Sequence, residues 1–294
     1  MKKFLLIDDS VEGIGGTMLT LDAIFEDFEG EFSQVSTSDF SLTHAFSKDT
    51  FFIFGNITSF TQNSLDAILF AMENFPFVKI EFDYGYCPYR GSIPHKILAN
   101  QECQCPFGKN SDSNLSKIYT LIKEKSLHIF YMSDAQMTIH DKHLLGIEKT
   151  RKSTLSSCFK KETLKSFKIL KSKPKNNKFA IIDGKGGWHS KAKGIEKSIK
   201  YAKDNKLNFD LIKTETYNEM LDKLSNYKSL ITFPIIHDTC PRITIEARYM
   251  GLDVITDEFS QHITESWWKG SDKEAFDFTK SRPKYFCEKI KCLH

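Results

Sequence analysis

Two acidic residues, Asp238 and Glu246, stand eight positions apart in the stretch from residue 233 to residue 258. Asp238 lies in a polar turn, and Glu246 lies inside a helix that the apolar spacing predicts from about Arg242 to Met250. An acidic residue near a helix N-terminus, together with the free backbone N–H groups there, can hold a polyhydroxylated, phosphorylated ligand. The spacing therefore indicates a binding site for a ligand of that kind.

A second group of reactive side chains lies in residues 84–114, where Cys87, His95, Cys103 and Cys105 follow the pattern Cys-x7-His-x7-Cys-x-Cys. The segment is rich in Gly, Pro, Asn and Ser and is too long for an idle connection, which predicts an irregular insertion. Four nitrogen and sulfur ligands in a loop with little core of its own predict a structural zinc site. Reduced thiols with a surface histidine are the alternative, and an iron–sulfur cluster is a third interpretation.

Two further segments carry candidate ligand contacts. Gly15 and Gly16 stand between a predicted strand and a predicted helix, where backbone can approach a ligand closely. Glu81 and Asp83 end another predicted strand, and Arg90 follows in a loop. Ligands of α/β proteins bind at such carboxyl edges, so these three residues are candidates for a second contact surface.

The elements that must position these residues alternate along the chain. Short apolar runs predict buried strands, and stretches of helical spacing separate them from Phe4 to Ile255. Strand, loop, helix, strand is the α/β crossover unit, which favours parallel pairing. A Lys- and Ser-rich stretch from residue 159 to 177 has the composition of a linker. We therefore predict two domains, residues 1–165 and residues 175–294.

The stretch around Glu246 resembles the C-terminal domain of GT-B glycosyltransferases of the group 1 type, whose segment reads roughly E-x-F-G-R-x-x-x-E-A-x-x-x-G-x-P-V-I. This chain reads D-T-C-P-R-I-T-I-E-A-R-Y-M-G-L-D-V-I. The residues that match in register are Arg242, Glu246, Ala247, Gly251, Val254 and Ile255. The departures are Asp238 for the first Glu, Cys240-Pro241 for an aromatic-Gly pair, and Asp253 for a Pro.

The resemblance implies two Rossmann-like domains that face each other across a cleft, with the last helix crossing back to the first domain. It implies transfer of a sugar from a nucleotide-diphosphate sugar to a hydroxyl acceptor, with retention of configuration and no catalytic metal. The acceptor is a glycan or, for a viral protein, a hydroxymethylated DNA base. A non-catalytic GT-B-like protein that binds a nucleotide or nucleic acid is the alternative function.

The resemblance also implies roles for individual residues. Lys193-Gly194 matches a family Lys-Gly pair that neutralises the donor diphosphate, and lysines replace the family's arginine. The implied catalytic residues are Lys193, Asp238 and Glu246. The implied donor-binding residues are Gly15, Gly16, Lys185, Lys191, Lys193, Thr239, Arg242 and Glu246. The acceptor side would carry Glu81, Asp83 and Arg90, and the candidates for a general base are His189, Glu81 and Asp83.

Composition bounds these interpretations. The chain has 294 residues, 40% of them hydrophobic and 27% charged, as in ordinary globular proteins of two domains. No run approaches the ~18 apolar residues of a membrane span, and seven cysteines, an odd number, suit a reducing compartment. We therefore expect a cytoplasmic protein, in the host cytoplasm if it is viral.

Charge is distributed unevenly along the chain. Residues 1–150 hold 12 of the 41 Lys and Arg and 20 of the 38 Asp and Glu, which leaves 29 basic and 18 acidic residues in the remainder. A basic C-terminal half is typical of a protein that holds an anionic ligand mainly with that half. The oligomeric state has no signal in the sequence.

Overall fold

The structure is a computed structural model that describes residues 3–9, 15–26, 28–46, 49–107, 113–144, 146–183 and 187–293, with the side chain of His189 excepted. The chain divides into two compact units. Unit 1 comprises Met1–Ser156 and Pro283–His294, and unit 2 comprises Ser157–Arg282. Each unit has its own parallel sheet.

Unit 1 is built on a six-stranded sheet. Its strands are β1 (Lys3–Asp8), β2 (Glu31–Ser36), β3 (Thr50–Phe54), β4 (Phe77–Glu81), β5 (His128–Tyr131) and β6 (Lys152–Thr154). Their order is β2-β1-β3-β4-β5-β6, and all neighbours pair in parallel. The helices are α1 (Gly16–Phe25), α2 (Leu42–Ala45), α3 (Gln62–Asn74), α4 (Ser92–Ala99), α5 (Asn114–Lys125) and α6 (Asp134–His143).

The apolar runs explain why these strands occupy the centre of unit 1. Every residue of β3, β4 and β5 is buried, as expected for parallel strands that are covered on both faces. Phenylalanines fill much of the space, and Phe52 and Phe54 each contact a further ring from a neighbouring segment. The large aromatic area buried here is a main stabilising term for the unit.

Unit 2 is built on a four-stranded parallel sheet. Its strands are β7 (Phe179–Ile182), β8 (Phe209–Ile212), β9 (Ser229–Ile231) and β10 (Asp253–Ile255), in the order β10-β9-β7-β8. Its helices are α7 (Lys161–Lys171), α8 (Gly187–Ala192), α9 (Ile195–Asp204), α10 (Tyr217–Leu224), α11 (Arg242–Tyr249) and α12 (Ser266–Lys269). The last helix, α13 (Asp272–Cys292), begins in unit 2 and ends in unit 1.

In each sheet the order in which strands are added changes side once, at the first strand. In unit 1, β1 lies between β2 and β3, and in unit 2, β7 lies between β8 and β9. Successive connections therefore leave the first strand toward opposite sides of it, which opens a crevice at the carboxyl ends of β1 and β3 and of β7 and β9. Ligands of open α/β sheets bind in such crevices.

The parallel sheets confirm the predicted α/β class, but two segments differ from the prediction. The 84–114 segment contains helix α4, whose Pro94 and His95 are buried, so it is less irregular than its composition indicated. The Lys-rich stretch after residue 159 contains helix α7, because Leu164 and Phe167 recur at helical spacing and are buried. Among the described residues, no helix is long and apolar enough to cross a membrane.

Candidate functional site

The carboxyl ends of β7 and β9 in unit 2 carry a close ion pair. Lys193 Nζ lies 2.5 Å from Asp238 Oδ2, and the lysine side chain is 61% exposed while the aspartate side chain is 14% exposed. Lys193 follows β7 and Asp238 follows β9, so the pair lies at the switch point of this sheet. A mobile cation held over a carboxylate can exchange that partner for an anionic ligand.

Gly194 explains how Lys193 reaches this position. Its φ is 68°, a left-handed conformation that favours glycine, and an added Cβ would lie 1.7 Å from the carbonyl oxygen of Phe233. Ser198 Oγ donates to the Gly194 carbonyl and accepts from the Phe233 N–H, both at 3.0 Å. The glycine therefore allows the two segments to pack against each other directly, beside the ion pair.

Glu246 is buried on helix α11 with two partners at one oxygen. Tyr217 Oη donates to Glu246 Oε1 at 2.7 Å, and Arg242 Nε lies 3.3 Å from the same atom. Burial raises the pKa of Glu246, while Arg242 and Tyr217 oppose the shift. Arg242 also donates to the Cys158 carbonyl and covers the ring of Phe159, with its guanidinium carbon 4.1 Å from the ring centroid.

The other residues implied for donor binding are distributed over both units. Thr239 is buried beside Asp238, and Lys191 is exposed on α8. Lys185 lies outside the described residues. Gly15 and Gly16 are exposed at the start of α1, and a Cβ at Gly15 would meet no atom within 4 Å.

The corresponding edge of unit 1 carries a second charged group. Asp9 follows β1 and accepts hydrogen bonds from the N–H groups of Thr58 and Ser59, each at 3.0 Å, and from Thr58 Oγ1 at 2.6 Å. Arg90 lies between two carboxylates, with Nη2 3.6 Å from Asp9 and Nη1 3.1 Å from Asp83. Arg90 has a φ of 59°, an uncommon conformation for a residue other than glycine.

Glu81 and Asp83 differ sharply although two positions separate them. Glu81 is fully buried and accepts from Tyr119 Oη at 2.9 Å and from the Gly85 N–H at 2.7 Å. Burial alone would raise its pKa, but Lys79, 3.2 Å away, and His140 outweigh that effect and hold the pKa at about 2. Glu81 therefore lies in the interior of unit 1, where Tyr119 and the Gly85 N–H hold its carboxylate.

The Asp83 side chain is 26% exposed. Burial raises its pKa to about 6, against the opposing effect of Arg90. Gln136 Nε2 donates to the carbonyls of Glu81 at 2.9 Å and Asp83 at 2.7 Å, which fixes the backbone that carries both acids. Asp83 is thus the acid of this pair whose side chain reaches the surface.

The four predicted metal ligands come together in unit 1. One ligand atom from each of Cys87, His95, Cys103 and Cys105 lies within 4.8 Å of all the others. Hydrogen bonding with Cys87 lowers the pKa of Cys103 to about 5, so one thiolate is present at neutral pH. His95 Nδ1 points at Cys87 Sγ, 3.3 Å away, and its Nε2 lies 3.3 Å from the Gln101 amide. Three sulfurs and one imidazole are the ligand set of Cys3His zinc sites.

Several residues at these edges carry no signal in the linear sequence. Asp9 was not predicted, although it directly follows a buried strand, because its importance comes from the order β2-β1-β3. Tyr217 was not predicted as a partner of Glu246, because α10 and α11 are brought together only by the fold of unit 2. His189, a candidate general base, has its side chain outside the described part.

No family model matches the chain, and no curated protein matches it. Solved structures do match. Anabaena Alr3699/HepE in complex with UDP and glucose gives a TM-score of 0.55 at 12% identity and covers 96% of this chain and 89% of that chain. The same protein in complex with UDP-glucose gives 0.52 at 11% identity, covering 100% and 92%. An alpha-glucosyltransferase in complex with UDP and a 13-mer DNA containing a HMU base gives 0.50 at 11% identity, covering 98% and 90%.

At these identities the likeness shows the fold alone. This chain has the α/β fold with two Rossmann-like domains that the matched glycosyltransferases have, as the sequence predicted. The group 1 subtype within that fold stays a prediction.

Proposed function

We propose that the protein is a glycosyltransferase that uses a nucleotide-diphosphate sugar as donor. The observation that carries the proposal is the Lys193–Asp238 pair beside Gly194 at the switch point of unit 2, a unit that also holds the buried carboxylate of Glu246. A cation for a diphosphate and a buried acid for hydroxyl groups are what such a donor requires. The UDP and UDP-glucose bound in the matched structures support it.

In this proposal Glu246 binds the ribose hydroxyls through Oε2, because Tyr217 and Arg242 both contact Oε1. Lys193 moves from Asp238 to the diphosphate, and Lys185 and Lys191 add positive charge. Asp238 is then available to the donor sugar. Thr239, Gly15 and Gly16 complete the donor contacts, and Arg242 keeps Glu246 in place.

The acceptor binds the edge formed by Asp83 and Arg90, and Glu81 positions that edge. The bond between sugar C1 and the diphosphate oxygen breaks and its electron pair leaves with the nucleoside diphosphate, while the acceptor oxygen bonds to C1 and its proton passes to the Asp83 carboxylate. We propose that configuration is retained without a catalytic metal. The acceptor domain corresponds to residues 1–165 and the donor domain to residues 175–294.

We further propose that Cys87, His95, Cys103 and Cys105 hold a structural zinc ion. Zinc requires deprotonated thiols, so its affinity should fall as the pH falls. With Nδ1 bound to zinc, His95 Nε2–H would donate to the side-chain oxygen of Gln101 after a turn of that amide, because the Gln101 atom that lies 3.3 Å away is the donor Nε2. The metal would brace residues 87–105, which include Arg90 and lie close in sequence to Asp83.

Nucleotide binding and donor cleavage test the proposal together. We expect UDP to bind the wild-type protein in calorimetry and Glu246→Gln to weaken that binding by ~1–3 kcal/mol. Lys193→Ala should slow hydrolysis across several UDP-sugars while leaving the melting temperature near that of wild type, since exposed lysines contribute little to stability. Lys200→Ala is the matched control, because Lys200 is 76% exposed on α9.

The alternative, a non-catalytic nucleotide-binding protein, has its own outcome in the same experiment. It predicts UDP binding that Glu246→Gln weakens, with no cleavage of any nucleotide sugar by the wild type. Absence of both binding and cleavage would contradict the glycosyltransferase and the alternative alike.

A further inference from the structure

Unit 1 contains a cavity beside the Cys/His cluster. Its volume is about 480 Å³, within the roughly 300–1,000 Å³ typical of small-molecule sites. Buried Tyr86 and Pro106 and exposed Pro88 contribute its apolar wall, together with the half-buried ring of Phe60. A cavity of this size with an aromatic and proline wall is shaped for one face of a small ring-bearing ligand.

The hydroxyl of Tyr86 has no hydrogen-bond partner within the described part of the chain, and it is buried. The ring is fixed, because it stacks on His143 at 4.5 Å between centroids and meets the edge of His140 at 5.1 Å. A buried hydroxyl without a partner is destabilising. A ligand group at this wall would satisfy it, as an ordered water would.

The described residues at the mouth of the cavity are polar. The exposed side chains there include Gln101, Gln104 and Asn114, which offer amide donors and acceptors. Among the described lining residues none is Lys or Arg, and the one carboxylate is Glu102, which pairs with Lys96. The described lining therefore offers a phosphate no unpaired cationic side chain. Amides beside aromatic rings suit an uncharged ligand with several hydroxyl groups.

We propose that this cavity binds an uncharged sugar unit of the acceptor, with Tyr86 Oη completing a hydrogen bond to a sugar hydroxyl. The inference rests on the proposed glycosyltransferase function, and it names a glycan as the acceptor class. It also gives the Cys/His cluster a task, because His95 and Cys105 line the same cavity. Positioning of a second sugar unit here would set which glycan reaches Asp83 and Arg90.

Saturation-transfer NMR on the full chain tests the proposal. The probes are glucose, galactose, mannose and N-acetylglucosamine, with deoxynucleosides and inorganic phosphate as comparison ligands. We expect at least one sugar to bind wild type and to bind Tyr86→Phe about five- to tenfold more weakly, the loss of one hydrogen bond. Tyr89→Phe is the matched control, because Tyr89 is in the same segment of residues 84–114, is exposed, and does not line the cavity.

Stability separates a ligand role from a structural one. Removal of an unpartnered hydroxyl should leave the melting temperature of Tyr86→Phe equal to or above that of wild type. A lower melting temperature with unchanged sugar binding would overturn the proposal, as would a preference for deoxynucleosides or the absence of sugar binding. UDP binding in the same sample distinguishes failure of this inference from failure of the proposed function. If the protein binds UDP but no sugar, only the sugar site is refuted. If it does not bind UDP, the proposed glycosyltransferase function is refuted.

Discussion

Two acids on one strand end show how environment assigns different roles to similar side chains. Glu81 is enclosed by Lys79, His140 and Tyr119 and stays ionised, with its pKa at about 2. Burial raises the pKa of Asp83 to about 6. The negative charges of Glu81 and Asp9 also raise this pKa, while Arg90 and Lys79 lower it. A carboxylate that titrates near neutrality at a sheet edge is a candidate for contact with the reacting hydroxyl.

This difference predicts an acidic limb in the pH profile of sugar transfer. In the proposed reaction Asp83 can take the acceptor's proton only when it is ionised, so transfer should fall about tenfold per pH unit below about pH 6. Because the folded pKa exceeds the ordinary value of 3.8, protonation between these values stabilises the folded state, so this group would not cause unfolding in that window.

The substitution Asp83→Asn provides the measurement. It should lower kcat/KM for the acceptor by about 10- to 100-fold and remove the acidic limb. Asp66→Asn, a change at an exposed acid on α3, serves as the control. An acidic limb that persists unchanged in Asp83→Asn would assign the titration to another group.

Residue types alone did not distinguish these acids. The sequence identified Glu81 and Asp83 as acids at a strand end, because both positions follow an apolar run. It could not show that Glu81 lies under Tyr119, 38 positions later, since that contact depends on packing of α5 against the sheet. The buried hydroxyl of Tyr86, which has no partner among the described residues, also results from packing, and no sequence pattern predicts it.

At the scale of elements, the close approach of the Gly194 backbone to the Phe233 carbonyl fixes the loop that carries Lys193. Gly194 must accept both a positive φ and contact with the Phe233 carbonyl, whereas Gly15 has a φ of −112° and open space around its Cβ position. Gly15 was predicted to bind the donor, and Gly194 was predicted only as the second residue of the Lys193-Gly194 pair. Their surroundings give them different physical roles.

Substitution of each glycine by alanine should separate structure from binding. Gly194→Ala should destabilise the protein by roughly 2 kcal/mol or more and weaken UDP binding, because the loop must shift away from Phe233. Gly15→Ala should stay within about 0.5 kcal/mol of wild type in denaturant unfolding. Equal stability of the two variants would contradict this account of Gly194.

The cluster of Cys87, His95, Cys103 and Cys105 is the second element whose proposed role can be tested separately. Purified protein should contain about one zinc ion per chain, and Cys103→Ser should lose it, lower the melting temperature and reduce acceptor use. UDP binding should remain. Cys292→Ser is the matched control, because Cys292 is an exposed cysteine outside the cluster. Metal-free wild-type protein that is fully active and insensitive to chelators would leave the four residues as ordinary thiols and a histidine.

Apolar runs and helical spacing act locally, so the extent of an element can be predicted from them. Helix α11, predicted from about Arg242 to Met250, spans Arg242–Tyr249. Prediction failed at α4 and α7, where Gly, Pro or Lys content suggested irregular chain. There a few buried residues, such as Leu164 and Phe167, outweigh composition.

At the scale of the molecule, the two units differ in charge. Unit 1 holds 17 basic and 21 acidic residues, and unit 2 holds 24 basic and 17 acidic residues. Unit 2 is therefore net positive and contains the proposed diphosphate site. Unit 1 is net negative and contains the carboxylates of the acceptor edge. This division favours an anionic donor on one unit and an uncharged acceptor on the other, and it disfavours nucleic acid on unit 1.

The division of charge predicts that salt acts on the two ligands differently. Raising NaCl from about 0.05 M to about 0.5 M shortens the screening length severalfold, so UDP affinity should fall about three- to tenfold. Binding of an uncharged sugar should change by less than about twofold, because no ligand charge is screened. Calorimetry with UDP and saturation-transfer NMR with the sugars measure both in the same buffers. A sugar response as steep as the UDP response would mean that the acceptor is recognised through charge, and a DNA acceptor would then be the better explanation.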